Sequence, residues 1–382
     1  MNFIASAAGC RAWAEIDLSA VKENFAAARR LLPTAEKLLA VIKANGYGHG
    51  ALPAAKALLS LPEGTRPDFF AVATAEEGLD LRDGGIETPI LVLGHILPEL
   101  YESAVRAELR LPVDSVEEAA AIGKTALKTG KKALLHVAVD SGMTRIGFPA
   151  EPSSAEPIEA ITRLPGVFVE GIFTHLATAD ATDKSRAEAQ SERFFALTDL
   201  LRSRGVEIPI RHIQNSASIA SMTPRGDMAR LGISLYGLVP SDEVPAKNVG
   251  LRPAMALRAR VVRLRTVSAG VPVSYGGTFV TEGDTVVATV SAGYADGVPR
   301  AISGKGEVLL GGRRVPILGR VCMDQFMIDA TEVPGAKVGD AVTIFGRDGA
   351  EEITADEVAS LAGTIGYEVV CGITERVPRV MK

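Results

Sequence analysis

Over the first two-thirds of this chain the apolar residues fall into short unbroken runs rather than an alternating pattern. Eight of these runs read as strands: Leu38–Lys43, Phe69–Thr74, Ile90–Gly94, Leu109–Val113, Ala133–Val139, Val167–His175, Ile210–Asn215 and Met228–Tyr236. Continuous runs are expected where a strand is covered on both faces, as in a parallel sheet flanked by helices. Helical patterns fall between many of them. Ser19–Leu32 stops at Pro33. Ser115–Thr129 opens with a capping box, Ser115 and Glu118, and ends at Gly130, and Lys184–Arg204 is long, amphipathic and stopped by Gly205. Eight strands alternating with helices predict a (β/α)8 barrel of the TIM type over residues 11–245.

Beyond about residue 250 the pattern changes. Arg258–Val267, Thr285–Ala292, Glu307–Leu310, Phe326–Asp329 and Ala341–Phe345 are strand-like segments separated by Gly, Pro and Asp turns. One helix, Ala355–Ala362, interrupts them with Thr354 as its N-cap. Residues 250–382 therefore read as a second, mainly β domain.

Composition narrows the function classes. With 47% hydrophobic and 23% charged residues the chain has globular composition. A net charge of −5, without a basic run, gives no electrostatic case for nucleic acid. No apolar stretch reaches the ~20 residues of a membrane span. Cys10, Cys322 and Cys371 are odd in number and far apart, which suits a reducing, cytoplasmic setting and no zinc site. The segment from Met1 to Cys10 reads as a frayed terminus.

The chemistry gathers where a barrel collects it, at the carboxyl ends of the strands. Lys43 closes the first run and opens Ala44-Asn45-Gly46-Tyr47-Gly48-His49-Gly50. An amine delivered from a buried strand loses solvation, so its pKa falls and it becomes a nucleophile able to form a Schiff base. The glycines let backbone approach a ligand closely. Asp140 to Arg145 follow the fifth run, His175 closes the sixth, Asn215 and Ser216 close the seventh, and Arg230 with Gly232 lies in the eighth. Taken singly, His175 is more often a satisfied buried histidine and Tyr275 a turn aromatic. As a group these residues indicate one site.

The segment Ala40-Val41-Ile42-Lys43-Ala44-Asn45-Gly46-Tyr47-Gly48-His49-Gly50 resembles the pyridoxal 5'-phosphate (PLP) attachment motif of the alanine racemases, and similar segments continue over nearly the whole chain. The resemblance implies PLP linked to Lys43. It implies phosphate held by Ser216, by backbone amides near Gly232 and Ile233, and by Tyr47 and Tyr367, with Asn215 and His175 also on the cofactor side. Arg230, in Met228-Ala229-Arg230-Leu231-Gly232, matches an arginine facing the pyridine nitrogen. A guanidinium only donates, so that nitrogen must accept and the ring becomes a weaker electron sink, which suits racemisation.

Racemisation needs a proton taken from one face of the α-carbon and one returned to the other. By resemblance Lys43 serves one face and Tyr275, in Val273-Ser274-Tyr275-Gly276-Gly277, serves the opposite face, with His175 contacting the phenol. The resemblance also implies a homodimer whose partner supplies Tyr275 and Met323; it places Tyr294 at the entrance and Arg145 near the substrate carboxylate, and it assigns the strand near 11–17 to the β domain. One position departs from the family pattern. Many members carry a lysine, often carbamylated, where this chain has Ala138. Arg145 must then be positioned otherwise, by a bound chloride or another side chain, and a halide-soaked crystal with no anomalous peak beside it would count against the chloride.

The implied activity is interconversion of L- and D-alanine for peptidoglycan. A racemase of serine or of broader specificity stays open. So does a non-catalytic PLP carrier, although it would leave the β domain unexplained. A decarboxylase needs a stronger electron sink, which Arg230 argues against.

Overall fold

The structure is a computed structural model describing residues 3–4, 6–33, 36–244 and 250–382. Eight parallel strands form the N-terminal unit: Lys37–Val41, Phe69–Val72, Ile90–Val92, Arg110–Val113, Ala133–Asp140, Val167–Phe173, Ile210–His212 and Met228–Leu231. The first seven pair in chain order, and the eighth returns to the first with Arg230 opposite Leu39. Between the seventh and eighth the ladder is replaced by single bonds, Asp227 N–H to Arg211 O at 2.8 Å and Arg230 N–H to Gln214 O at 3.1 Å. The result is the expected (β/α)8 barrel, with a core of buried Leu39, Phe70, Leu91, Leu111, Val137 and Ile172.

Seven of the eight strands are shorter than the apolar runs that predict them, the fifth instead reaching Asp140. Lys43, His175, Asn215 and Gly232 all lie just past a strand end, because their polar or glycine positions leave the ladder for loops and short turns. The three barrel helices expected from the sequence run Leu18–Arg30, Val116–Thr129 and Ser185–Ser203, and others, among them Ala51–Leu59, Ala75–Asp83 and Ala155–Thr162, fill further crossings. Ser115 caps its helix by accepting from Glu118 N–H at 3.2 Å. The expected box closes only in part: the Glu118 carboxylate accepts from Asp114 N–H, one residue before the cap.

The second unit is β-rich. Met255–Val267, Thr285–Val290, Phe326–Asp329, Arg313–Leu318, Glu307–Leu310 and Ala341–Asp348 form a closed antiparallel ring, since the first of these also pairs with the last. Register breaks at Leu257/Arg258 and Val261/Arg263 let that long strand bend between partners. Its start pairs with Ala12–Ile16, beside which lies the C-terminal strand Arg379–Met381. Phe3–Ile4 pairs with Arg379 and Val380, so the amino terminus is not simply frayed. Arg313–Leu318 and the helix Gly366–Cys371 were not expected from the sequence. Helix Ala355–Ala362 was, and Thr354 caps it from Glu357 N–H at 3.0 Å. One apolar cluster runs through both units.

Candidate active site

Lys43 opens a turn that winds left-handed. Ala44, Asn45, Gly46 and Tyr47 have φ of 51°, 50°, 64° and 51°. Gly46 N–H bonds to Ile42 O at 2.8 Å and Gly48 N–H to Ala44 O at 3.0 Å. Non-glycine residues in this region cost roughly 1–2 kcal/mol each, so surrounding contacts must hold the turn. Glu77 accepts from Ala44 N–H at 2.6 Å and from Ala73 N–H at 2.7 Å. Asn45 accepts from Ala51 N–H at 2.8 Å. Arg379, fully buried, donates from Nε to Gly48 O at 3.0 Å and from its other nitrogens to Ile373, Thr374 and Val377 carbonyls. Beneath the turn His49 stacks on Tyr236 at 4.4 Å and donates from Nδ1 to the Gly46 and Tyr47 carbonyls. Burial lowers its pKa to about 4.

Burial also lowers the Lys43 amine below its usual range, and Arg145 pushes the same way. The Nζ lies 6.0 Å from the centre of the Tyr47 ring. That ring sits 5.1 Å from Tyr236 and 6.3 Å from Tyr367, and burial pushes the Tyr47 and Tyr367 phenols above their usual range. Ser216 Oγ accepts from Gly232 N–H at 2.9 Å and faces Ser234 N–H at 3.4 Å. A Cβ on Gly232 would lie 3.2 Å from the Tyr47 hydroxyl and 3.5 Å from Ser216 Oγ. Tyr47, Ser216 and Gly232 thus border one space that the bare glycine keeps open, with Ile233 next in the chain. Asn215 is engaged as a helix cap: its Oδ1 accepts from Ser218 N–H at 3.0 Å and its Nδ2 donates to Leu176 O at 3.3 Å.

Arg230 is buried, and burial together with Arg145 lowers its pKa to about 9. It donates to His212 Nδ1 at 2.8 Å, to the carbonyls of Thr174, His212 and Ile213, and to His175 Nδ1 at 3.3 Å. Desolvation and the Arg230, Arg145 and Lys43 charges bring the His175 pKa down to about 3, so its ring is neutral. Arg145 sits on a loop shaped by Asp140, whose Oδ1 accepts from the N–H groups of Gly142, Met143 and Thr144 at 2.9–3.0 Å. Among the described residues Arg145 has no ion pair. It lines a small hollow with Ala138, Ile146, Phe173 and His175.

The remaining sequence candidates lie on the β-rich unit. Tyr275 is 69% exposed and Met323 52%. Both line an open hollow of about 730 Å³ whose walls, Ser274 to Gly276 and Cys322 to Gln325 with Met327, include no barrel residue. Tyr294, also exposed, bonds through its N–H to Cys322 O at 3.0 Å and so belongs to this second group. Sequence reading did not single out Glu77, Arg379 or His212. Glu77 carried a signal, the capping box with Thr74; Arg379 carried none.

The family model described as "Alanine racemase, N-terminal domain" matches residues 16–240, and "Alanine racemase, C-terminal domain" matches residues 254–381. The chain belongs to the alanine racemase family. Its similarity to alanine racemase of Methanococcus maripaludis is 44% identity, covering 96% of this chain and 98% of that protein. For that of Halothermothrix orenii the identity is 43%, covering 97% and 96%. Among solved structures, alanine racemase of Clostridium difficile 630 superposes with a TM-score of 0.92 at 41% identity over 98% of this chain and 96% of that one. The Bacillus anthracis alanine racemase with bound L-Ala-P gives 0.89 at 36% identity over 97% and 95%. The Lys43 cluster falls in the part matched by the N-terminal alanine racemase model, and the Tyr275 group in the part matched by the C-terminal one.

Proposed function

We propose that this racemase interconverts L- and D-alanine by a two-base route on PLP, with Lys43 and Tyr275 as the bases, in a homodimer that brings the two together. The observation that carries the cofactor is the space bordered by the Tyr47 hydroxyl, Ser216 Oγ and the bare Gly232. Hydroxyl and backbone N–H donors without a net charge suit a phosphate, and an amine of lowered pKa lies 6.0 Å from the centre of the Tyr47 ring. These residues fit PLP. Ser216, Tyr47, Tyr367 and the Gly232–Ile233 backbone would hold its phosphate, with Asn215 bracing Ser216, and Arg230 and His175 would flank its ring.

When bound, PLP makes the α-hydrogen of an attached amino acid removable by withdrawing electrons from that carbon. Lys43 takes a proton on one face as a neutral amine and returns one as an ammonium. Tyr275 exchanges protons on the other through its phenol oxygen. Arg230 can only donate, so it would meet the cofactor's ring nitrogen as a donor and leave that nitrogen the acceptor. Arg145 binds the substrate carboxylate, while Met323 and Tyr294 narrow the entrance. Exposure of Tyr275 and Met323 on a face remote in sequence from Lys43 supports their service to a partner's site. Domain limits of 11–245 and 250–382, with the strand Ala12–Ile16 paired into the β-rich unit, a cytoplasmic setting, and use of the D-alanine in peptidoglycan belong to the same reading. Residues 245–249 lie outside the described residues, and no described helix is long and apolar enough to cross a membrane.

The test is spectroscopic and catalytic. The purified protein should show the ~420 nm band of a lysine-bound cofactor, and Lys43→Ala should lose both band and D-alanine formation. Retention of the band in that variant would exclude Lys43 as the attachment point. A panel of L-amino acids, serine included, then separates alanine from wider specificity.

A further inference from the structure

A line of hydrogen bonds leaves Arg230 and crosses the barrel interior away from Lys43. Arg230 Nη1 meets His212 Nδ1 at 2.8 Å, His212 Nε2 meets His136 Nδ1 at 2.8 Å, and His136 Nε2 meets Glu170 Oε2 at 3.1 Å. Glu170 is paired in turn with Arg110 at 3.0 Å. Both histidines are fully buried, with their rings 5.0 Å apart at 69°.

The two ends dictate the direction of every bond between them. A guanidinium only donates, so His212 Nδ1 accepts and its hydrogen sits on Nε2. That hydrogen requires His136 Nδ1 to accept, which places the hydrogen of His136 on Nε2, pointing at a carboxylate that only accepts. Both imidazoles are therefore neutral Nε2–H tautomers with no free choice left. Burial keeps them uncharged, and Glu170 is held below its usual carboxylate range by His136 and Arg110 despite its own burial.

The backbone is shaped to accommodate this line. Leu135 pairs with Val169 but His136 pairs with Gly171, so Glu170 is the extra residue of a bulge, a device that redirects a side chain. A Cβ on Gly171 would come within 2.3 Å of His136 Nδ1, so only glycine leaves room for the ring there. Arg230, meanwhile, has no carboxylate partner among the described residues, and the charges acting on the groups around it, Lys43 and Arg145, are cationic.

We propose that Glu170 and His136 are positioning residues for the racemisation: through His212 they hold Arg230 as a charged, donor-only group in a single orientation. The benefit to the reaction rests on the reading of Arg230 as the partner of the cofactor's ring nitrogen. The hydrogen-bonded line itself does not.

Glu170→Gln keeps the shape but removes the obligate acceptor. Arg110 would claim the amide oxygen and turn the NH2 toward His136 Nε2, opposing the whole line. In histidine-¹⁵N-labelled protein as purified, NMR should show His136 and His212 both as Nε2–H tautomers. In Glu170→Gln those signals should move, and kcat should fall about tenfold with KM for alanine changed less than about twofold. Adding Arg110→Gln lets the two introduced amides pair and frees the amide oxygen at position 170 for His136. Tautomers and most of kcat should then return, and with the buried charge removed this double variant also guards against a folding defect. An Nδ1–H tautomer in the unaltered protein, unmoved signals and kcat in Glu170→Gln, or no recovery in the double variant would overturn the proposal. Correct tautomers in a protein lacking the ~420 nm band would instead defeat only the cofactor reading.

Discussion

Arg379 donates from Nε to the carbonyl of Gly48 at 3.0 Å, so the final strand of the chain braces the turn that begins at Lys43. The same guanidinium serves three further carbonyls, and the residue is completely buried. Arg379→Leu would leave those acceptors unpaired. A loss of about 3 kcal/mol is expected, measured by urea unfolding, together with weaker retention of the cofactor band. Unchanged values for both would show that the turn is held by other contacts.

His49 and His175 set part of the acid response. Both are neutral when folded, with pKa values of about 4 and about 3 against 6.5. Below pH 6.5 the unfolded chain binds protons that the folded one does not. Their contribution is therefore whole above pH 6.5 and falls toward pH 4, by up to about 1.4 kcal/mol per pH unit for each group. Glu36, raised to about 7 mainly by burial, acts in the opposite sense: its contribution is lost as pH rises from 4.5 to about 7. In unfolding titrations at pH 7 and pH 5, His49→Gln should flatten the dependence and Glu36→Gln should steepen it. A His49→Gln curve parallel to that of the unaltered protein would refute the assignment.

Mixed dimers test the shared site. Lys43→Ala and Tyr275→Phe should each be nearly inactive alone. Co-refolded in equal amounts, half of the dimers are hybrids carrying one intact site out of two, so activity should recover to about one quarter of normal. Recovery should not occur if both bases come from the same chain.

Ala138 offers a direct measure of what Arg145 lacks. By its place in the hollow beside Arg145, Ala138→Lys should acquire an anionic partner for that arginine once the new amine reacts with CO2. Activity of the variant should then rise several-fold with added bicarbonate, while the unaltered protein stays indifferent. A variant equally indifferent to bicarbonate would rule out this geometry.

What the sequence revealed depended on how local each feature is. Buried parallel strands show as unbroken apolar runs, so the barrel, its order and the strand ends bearing Lys43, His175 and Arg230 were readable. The ends of Leu38–Lys43 and Met228–Tyr236 were overread because apolar residues continue into tight turns that hydrophobicity cannot distinguish from strand. The left-handed path of Ala44 and Tyr47 was hidden, since neither residue type favours it and distant Glu77 and Arg379 enforce it. Arg379 itself looks like an exposed edge-strand cation. His136 and Glu170 were invisible as a pair because the bulge that joins them is a property of two strands, not of one segment.

The Arg379 brace carries a consequence for biosynthesis. The pocket's amine is made early, but Arg379, which secures its turn, lies about 340 residues further along the chain. A nascent barrel whose Arg379 has not yet emerged from the ribosome would have its eight strands and no finished catalytic loop. Competence should arrive only once Arg379 has docked on Gly48, as a late step set by that contact rather than by closure of the barrel.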